Sequence, residues 1–286
     1  MFFFLFALLL VNAVYDAYNF VYPSTMVRGQ RGSMLGKIYR QSESVVLKRD
    51  ISEWVKPQSP EGPEGSEGEN VESVVVADEI HTPKYLEPMK HRLELGARLE
   101  AEGHKIGAEL GVKEGYFARD TLRNWPTATE YVLVDLWDNM PNYADSANEG
   151  EREVHYQSAL RETAPWKDKV TVCRNFTTSC AQNFPDGYFD YIYVDARHDR
   201  KGAYLDLETW WPKLKVGGIL AGHDYTLCKP DCENGNGRDL NFDGTVDPTG
   251  LAVKGAVDDF AIKIRRQVVL VYDERPSQFW TWMMRK

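Results

Sequence analysis

The side chains of this sequence best able to do chemistry are acids and histidines in short, separated groups: Glu109-Leu110-Gly111, Asp135, Asp195-Ala196-Arg197-His198 and Gly222-His223-Asp224-Tyr225. A hydroxyl is a poor nucleophile until its proton is removed or its oxygen is bound to a cation. A neutral imidazole, with a pKa of about 6.5, can take such a proton at physiological pH. Asp195 and Asp224 supply the hard carboxylate oxygens that Mg2+ or another divalent cation prefers, with His223 beside them as a less typical ligand. A single acid after a strand is an ordinary turn or cap residue. Four strands ending in acids at one edge are harder to explain that way.

The elements that must hold these groups alternate along the chain. Apolar runs at 106–110, 131–134, 170–172, 191–194, 219–221, 268–272 and 279–283 predict seven strands. Helical patterns fall between them at 113–123, 149–163, 201–214 and 251–265, the last with Val257, Phe260, Ala261 and Ile264 on one face. A further helix, with Leu86, Met89 and Leu93 on one side, is expected before the first strand. Strands separated by helices imply βαβ units and a doubly wound α/β domain with a mostly parallel sheet. Only a short segment containing Pro276 separates the last two strands, so these are expected to pair antiparallel as a closing hairpin. Ligands of such sheets bind outside the carboxyl ends of the strands, where the acids fall.

The turn after the first strand, Glu109-Leu110-Gly111-Val112-Lys113-Glu114-Gly115, lacks the GxGxxG spacing that lets amides approach a pyrophosphate. A nicotinamide-dependent reductase is therefore disfavoured. A ligand without phosphate suits the loop better, with Asp135 able to accept hydrogen bonds from ribose hydroxyls.

Further on come Trp210-Trp211-Pro212, Gly217-Gly218, Val253-Lys254-Gly255-Ala256-Val257-Asp258-Asp259-Phe260 and Phe279-Trp280-Thr281-Trp282. With Asp195-x-x-His198 and the GHDY at 222–225, this ordered set resembles the class I S-adenosylmethionine-dependent methyltransferases, and among them the type 24 methyltransferase-domain family. The resemblance covers residues from about 84 to 286 and implies a Rossmann-like fold. It further implies that Glu109, Gly111 and Gly115 belong to the loop receiving the methionine part of S-adenosylmethionine. Asp135 would bind the ribose, Asn175 and Phe176 would lie against the adenine, and Asp195 would contribute to an acidic rim suited to the sulfonium. The arrangement is similar to metal-dependent catechol and sugar O-methyltransferases, which implies a divalent cation on Asp195, His223 and Asp224 and makes His198 the general base. His223 departs from that pattern, since such enzymes more often carry an acid there. The expected activity is O-methylation of a small-molecule or sugar hydroxyl. The competing reading is a catalytically silent, membrane-tethered binding protein that kept the fold.

The rest of the chain bounds location and partners. Residues 1–22 open with an uncharged apolar run and read as a signal peptide or an uncleaved membrane anchor, placing the protein in the secretory pathway or on a membrane, on either side. Residues 23–79 form a linker region containing KPQSPEGPEGSEGEN, too polar to bury a core, and the folded domain is expected at 80–286. The net charge of −9 is the wrong sign for binding nucleic acid through phosphates, although eight acids against one lysine in residues 53–79 carry most of it. At 226–250 a Gly/Asn/Asp-rich insertion reads as a polar loop over the substrate. Its Asp239-x-Asn241-x-Asp243-Gly244 matches the start of a calcium loop, but Gly250 stands where a bidentate Glu belongs. Four cysteines are too few for a disulfide scaffold. Cys173 reads as a buried strand residue, and Cys228 and Cys232 could close a small loop in an oxidising compartment. Asn175-Phe176-Thr177 is a glycosylation sequon overlapping the expected adenine pocket.

Overall fold

The computed structural model describes residues 86–143, 146, 148–226, 238–274 and 279–286. The expected membrane segment at 1–22, the linker region at 23–79, the first residues of the domain, and Cys228 and Cys232 all lie outside the described residues. No helix among the described residues is long and apolar enough to cross a membrane.

Among the described residues seven strands and six α-helices alternate: α1 (Leu95–Ala101), β1 (Ile106–Leu110), α2 (Tyr116–Arg123), β2 (Glu130–Asp135), α3 (Glu149–Thr163), β3 (Val170–Arg174), α4 (Thr177–Ala181), β4 (Phe189–Val194), α5 (Arg200–Trp210), β5 (Leu214–Tyr225), α6 (Ala252–Ile264), β6 (Val269–Leu270) and β7 (Trp280–Arg285). The sheet runs β3-β2-β1-β4-β5-β7-β6. β1 to β5 are parallel, and β7 runs antiparallel to both β5 and β6, closing the sheet as expected. The chain winds outward from β1 to β3 and returns to lay β4 beside β1, so strand order reverses between them. The carboxyl edge at that reversal is where a ligand cleft forms.

Helices cover both faces, so the central strands are buried throughout: Tyr131 to Val134 of β2 and Tyr191 to Tyr193 of β4 are fully inaccessible. One apolar layer joins Leu110, Val134, Ile192, Leu207, Trp210, Phe260 and Trp282. The other joins Leu99, Leu122, Trp125, Tyr131, Tyr191, Tyr193 and Met283. The sharp start of α3 has a local cause: Asn148 and Glu151 form a reciprocal capping box.

One expectation fails, and one bond was not anticipated. Leu86 and Met89 are buried but extended rather than helical, because the Met89 and Lys90 carbonyls accept from the amides of Tyr272 and Asp273, beyond β6. Helical structure starts only where His91 caps a 3-10 turn, Arg92–Glu94, leading into α1. Cys173 is buried in β3 but also bonded to Cys180, because the tight turn into α4 brings their Cα atoms to 6.1 Å. Five residues are too few for periodicity to announce α4.

Candidate active site

The glycine loop is held from within. Asp135 Oδ2 accepts from the amides of Val112 and Lys113, both at 2.8 Å, and Oδ1 accepts from Trp137 N at 2.9 Å. Gly111 N donates to Val134 O, and Gly115 N to Val112 O. Trp137 adds a hydrogen bond from its indole to Lys113 O at 2.8 Å. These internal partners take up the amides of Gly111, Val112, Lys113 and Gly115. Gly111 has φ +84°, and a Cβ there would lie 2.0 Å from Asp195 O, so β1 and β4 can close at their ends only around a glycine. At Gly115, φ +83°, a Cβ would meet Ala159 Cα of α3 at 2.8 Å, so this glycine serves helix packing.

Glu109 sits apart from that loop chemistry. Its carboxyl is 2% exposed and accepts from Tyr131 Oη at 3.0 Å. Burial pushes it well above the ordinary carboxylate range, more than the Tyr131 hydrogen bond pulls it back, and the nearby Asp195 and Asp135 charges add to the rise. Asn175 uses its side-chain oxygen to accept from Phe176 N, and the Phe176 ring is 44% exposed. An exposed ring, a partly exposed Asp195 carboxylate and the backbone of the glycine loop line the same strand edge.

Across the edge, β4 and β5 bring four titratable side chains together. His198 Nε2 lies 3.1 Å from Asp224 Oδ2 and 3.4 Å from Asp195 Oδ1. His223 Nδ1 approaches Asp224 Oδ2 at 3.4 Å and Asp195 Oδ2 at 3.9 Å. Arg238, from the insertion, donates to Asp224 Oδ1 at 3.0 Å and stacks over Phe279. Burial would raise the Asp224 carboxyl, but His198, His223 and Arg238 overcome it and hold the group below its usual range. Asp224 also has φ +57°, a conformation an L-residue adopts at a cost of about 1–3 kcal/mol. One ligating atom from each of Asp195, His198 and Asp224 lies within 4.8 Å of the others, the one such group among the described residues. The sequence expectation for that third position was His223. His198 supplies the third atom within that span, and His223 also approaches both acids, at 3.4 Å from Asp224 and 3.9 Å from Asp195.

Asn142, Arg197 and Asp199, which the sequence did not single out as site residues, tie the cluster to its surroundings. Arg197 donates to the carbonyls of Pro141 at 3.1 Å and Asn142 at 2.7 Å, and pairs with buried Asp199, the cap of α5. Asp199 also accepts from Phe242 N, and Asn142 Nδ2 donates to Phe242 O, so the insertion is fastened beside His198. Tyr143 contacts the His198 ring edge to face. The one available signal was that Arg197 and Asp199 flank His198 in the same short segment. The calcium-like stretch is internally satisfied: Lys201 Nζ pairs with Asp243 at 2.7 Å, and Thr249 and Arg200 face Asp247. Tyr225, an aromatic of the GHDY segment, donates to Asp258 of α6 instead of lining the site.

Residues 108–225 match the model of a family described as "Methyltransferase domain". No curated protein matches the sequence. Among solved structures, an O-methyltransferase from Bacillus cereus in complex with SAH is similar at 16% identity and a TM-score of 0.46, over 68% of this chain and 80% of that one. A protein from Corynebacterium glutamicum is similar at 15% identity and TM-score 0.45, over 71% and 83%. An O-methyltransferase family protein from Burkholderia thailandensis is similar at 14% and 0.45, over 68% of this chain and 55% of that one. The family match covers the glycine loop, Asp135, Asp195, His198 and the GHDY segment. Over residues 108–225 the sequence is therefore that of a methyltransferase domain.

Proposed function

We propose that this domain methylates a hydroxyl of a small molecule or sugar, with His198 as the base and a divalent cation held at Asp195 and Asp224. The observation that carries this reading is the convergence of two carboxylates and an imidazole at the carboxyl ends of β4 and β5. Two hard carboxylate oxygens suit Mg2+ or Mn2+, which leaves His198 free to act as the base. The bound cofactor supplies an activated methyl group. The chain's own residues orient it, accept the hydroxyl proton at His198 Nε2 and exclude water beneath the insertion.

Calorimetry of S-adenosylhomocysteine with the protein, before and after EDTA, tests the first part. Micromolar binding supports the enzyme, whereas no binding favours the silent, membrane-tethered alternative. His198→Ala separates the roles within the cluster. As base, its loss lowers transfer by about 10²–10⁴ and leaves Mn2+ affinity in place; loss of both would make His198 a ligand.

The described cystine supports an oxidising location for the domain, reached through the segment at 1–22 as a signal peptide or anchor. In that compartment the sequon at Asn175 would be open to modification, and a glycan there would obstruct the adenine edge. Mass spectrometry of alkylated, unreduced protein from its native membrane fraction decides both points: free Cys173 thiol with unmodified Asn175 would place the domain in a reducing compartment.

A further inference from the structure

We propose that Arg92, in the 3-10 turn ahead of α1, receives the carboxylate of the cofactor's methionine moiety. The inference rests on the reading of the glycine loop as the S-adenosylmethionine site, and it adds a residue that lies outside the family match at 108–225.

Arg92 carries a charge without a partner. Its side chain is half-buried, yet it forms no ion pair among the described residues. The Tyr193 hydroxyl stands close to the guanidinium, but that buried oxygen makes no hydrogen bond of ordinary geometry. Burial by itself would disfavour the charge; Tyr193 and the more distant Asp195 and Glu274 outweigh it and hold the pKa above its ordinary value. A guanidinium drawn partly out of water without a paired anion is costly, and its planar fork of donors matches a carboxylate.

Two rings fix where this charge stands. The guanidinium carbon lies 5.5 Å from the centre of the Phe117 ring, in the first turn of α2 just after the glycine loop. Phe117 packs on Tyr193 with ring centres 4.1 Å apart, and Tyr193 sits opposite Glu109 where β1 and β4 pair, two residues before Asp195. Phe117 and Tyr193 belong to the apolar layer on one face of the sheet, whereas α5, which follows His198, packs into the other. Arg92 therefore approaches the strand edge from the side of the glycine loop, away from the turn that carries the proposed base. Its backbone is held too: the Met89 and Lys90 carbonyls accept from Tyr272 and Asp273, and His91 caps the turn.

The amino-acid end of the cofactor carries an ammonium and a carboxylate, so a corner that holds it needs charge of both signs. Asp135, Asp195 and Glu274 suit the cationic groups and repel the carboxylate. The glycine loop offers that carboxylate little, because the amides of Gly111, Val112, Lys113 and Gly115 are already taken up internally. Arg92 supplies the positive half.

Calorimetric titration of the full chain with S-adenosylhomocysteine, and with a decarboxylated analogue that lacks only the carboxylate, tests the assignment in the wild type and in Arg92→Met. Methionine keeps an apolar side chain of similar reach and removes the charge. The wild type should bind S-adenosylhomocysteine about 10–100-fold more tightly than the analogue, the range for hydrogen bonds to a charged group. In Arg92→Met the preference should fall to about twofold or less, through loss of S-adenosylhomocysteine affinity, while the analogue binds as it does to the wild type. A wild type that binds both molecules equally overturns the proposal even if the variant does not fold, and leaves the methyltransfer reading standing. A folded variant that keeps the preference also overturns it, as does one that weakens both ligands alike, which would make Arg92 a support of the fold. A wild type that binds neither molecule overturns the methyltransfer reading and this inference with it.

Discussion

The two halves of the strand edge are built on opposite plans. Around β1 and β2 the carboxylate of Asp135 is taken up by three backbone amides, Glu109 is buried beside Tyr131, and Gly111 is filled by the backbone of Asp195. Around β4 and β5 the acids face imidazoles and a guanidinium, side chain to side chain. The first half therefore sets a backbone shape, and the second sets a balance of charge. A shape tolerates little change in volume, while a balance of charge tolerates changes in volume but not in ionisation.

Substitutions can break that contrast. The largest effect is expected from Gly111→Ala, whose Cβ would overlap Asp195 O at a left-handed φ. Loss of about 3 kcal/mol or more of stability is expected, seen as a drop in Tm or as insoluble protein. A variant with wild-type Tm would show that β1 and β4 are not closed at this point. Asp224→Asn comes next, keeping volume but removing the anion that faces His198, His223 and Arg238. Transfer should fall at least about 100-fold, with S-adenosylhomocysteine affinity within a few-fold of wild type; calorimetry showing cofactor binding lost to the same extent would merge the two halves into one.

Asp135→Asn should act through the backbone. An amide oxygen turned toward Val112 and Lys113 keeps both of their hydrogen bonds, but its NH2 then faces Trp137 N and that bond is lost, at about 1–3 kcal/mol of stability. The smallest effect, and one confined to stability, concerns Asp206 of α5, which accepts from Thr177 Oγ1 at the start of α4. Burial raises this carboxyl to about 7, opposed by the Thr177 hydrogen bond and helped by Asp199. Its folded pKa lies above its unfolded one, so the folded state binds the extra proton in the window between about 4 and 7. Stability from this group is present at the acid end and falls as pH rises through 7. Asp206→Asn should flatten that slope, gaining stability relative to wild type at pH 8 and little at pH 5. Parallel unfolding curves for the two proteins across this range would refute the assignment.

Much of the fold could be read from periodicity. β1 and α3 have the bounds expected, the latter because Asn148 and Glu151 cap it locally. The segment holding Leu86 and Met89 was misread because its apolar spacing suits a helix, whereas backbone pairing with Tyr272 and Asp273 makes it extended. No local pattern carries that information. The Cys173–Cys180 bond was missed for the related reason that the turn joining β3 to α4 is invisible in a five-residue helix. Within the site, the residue types were legible and their partners were not. Asp135 stood out as an acid at a strand end, but nothing in the sequence says that amides 22 and 23 residues earlier occupy it.

The sequence by itself determined which chemistry was available: acids and histidines at the ends of successive strands, on an alternating pattern that can only close as a helix-covered parallel sheet. The tertiary structure decided who faces whom. Because strand order reverses between β1 and β4, Asp195 lies against Gly111, and the loop after β2 reaches over to His198. Both His198 and His223 approach the two carboxylates there, from the ends of β4 and β5. Contacts between residues far apart in the chain depend on how strands are ordered and how their ends bend, and no run of neighbouring residues encodes either.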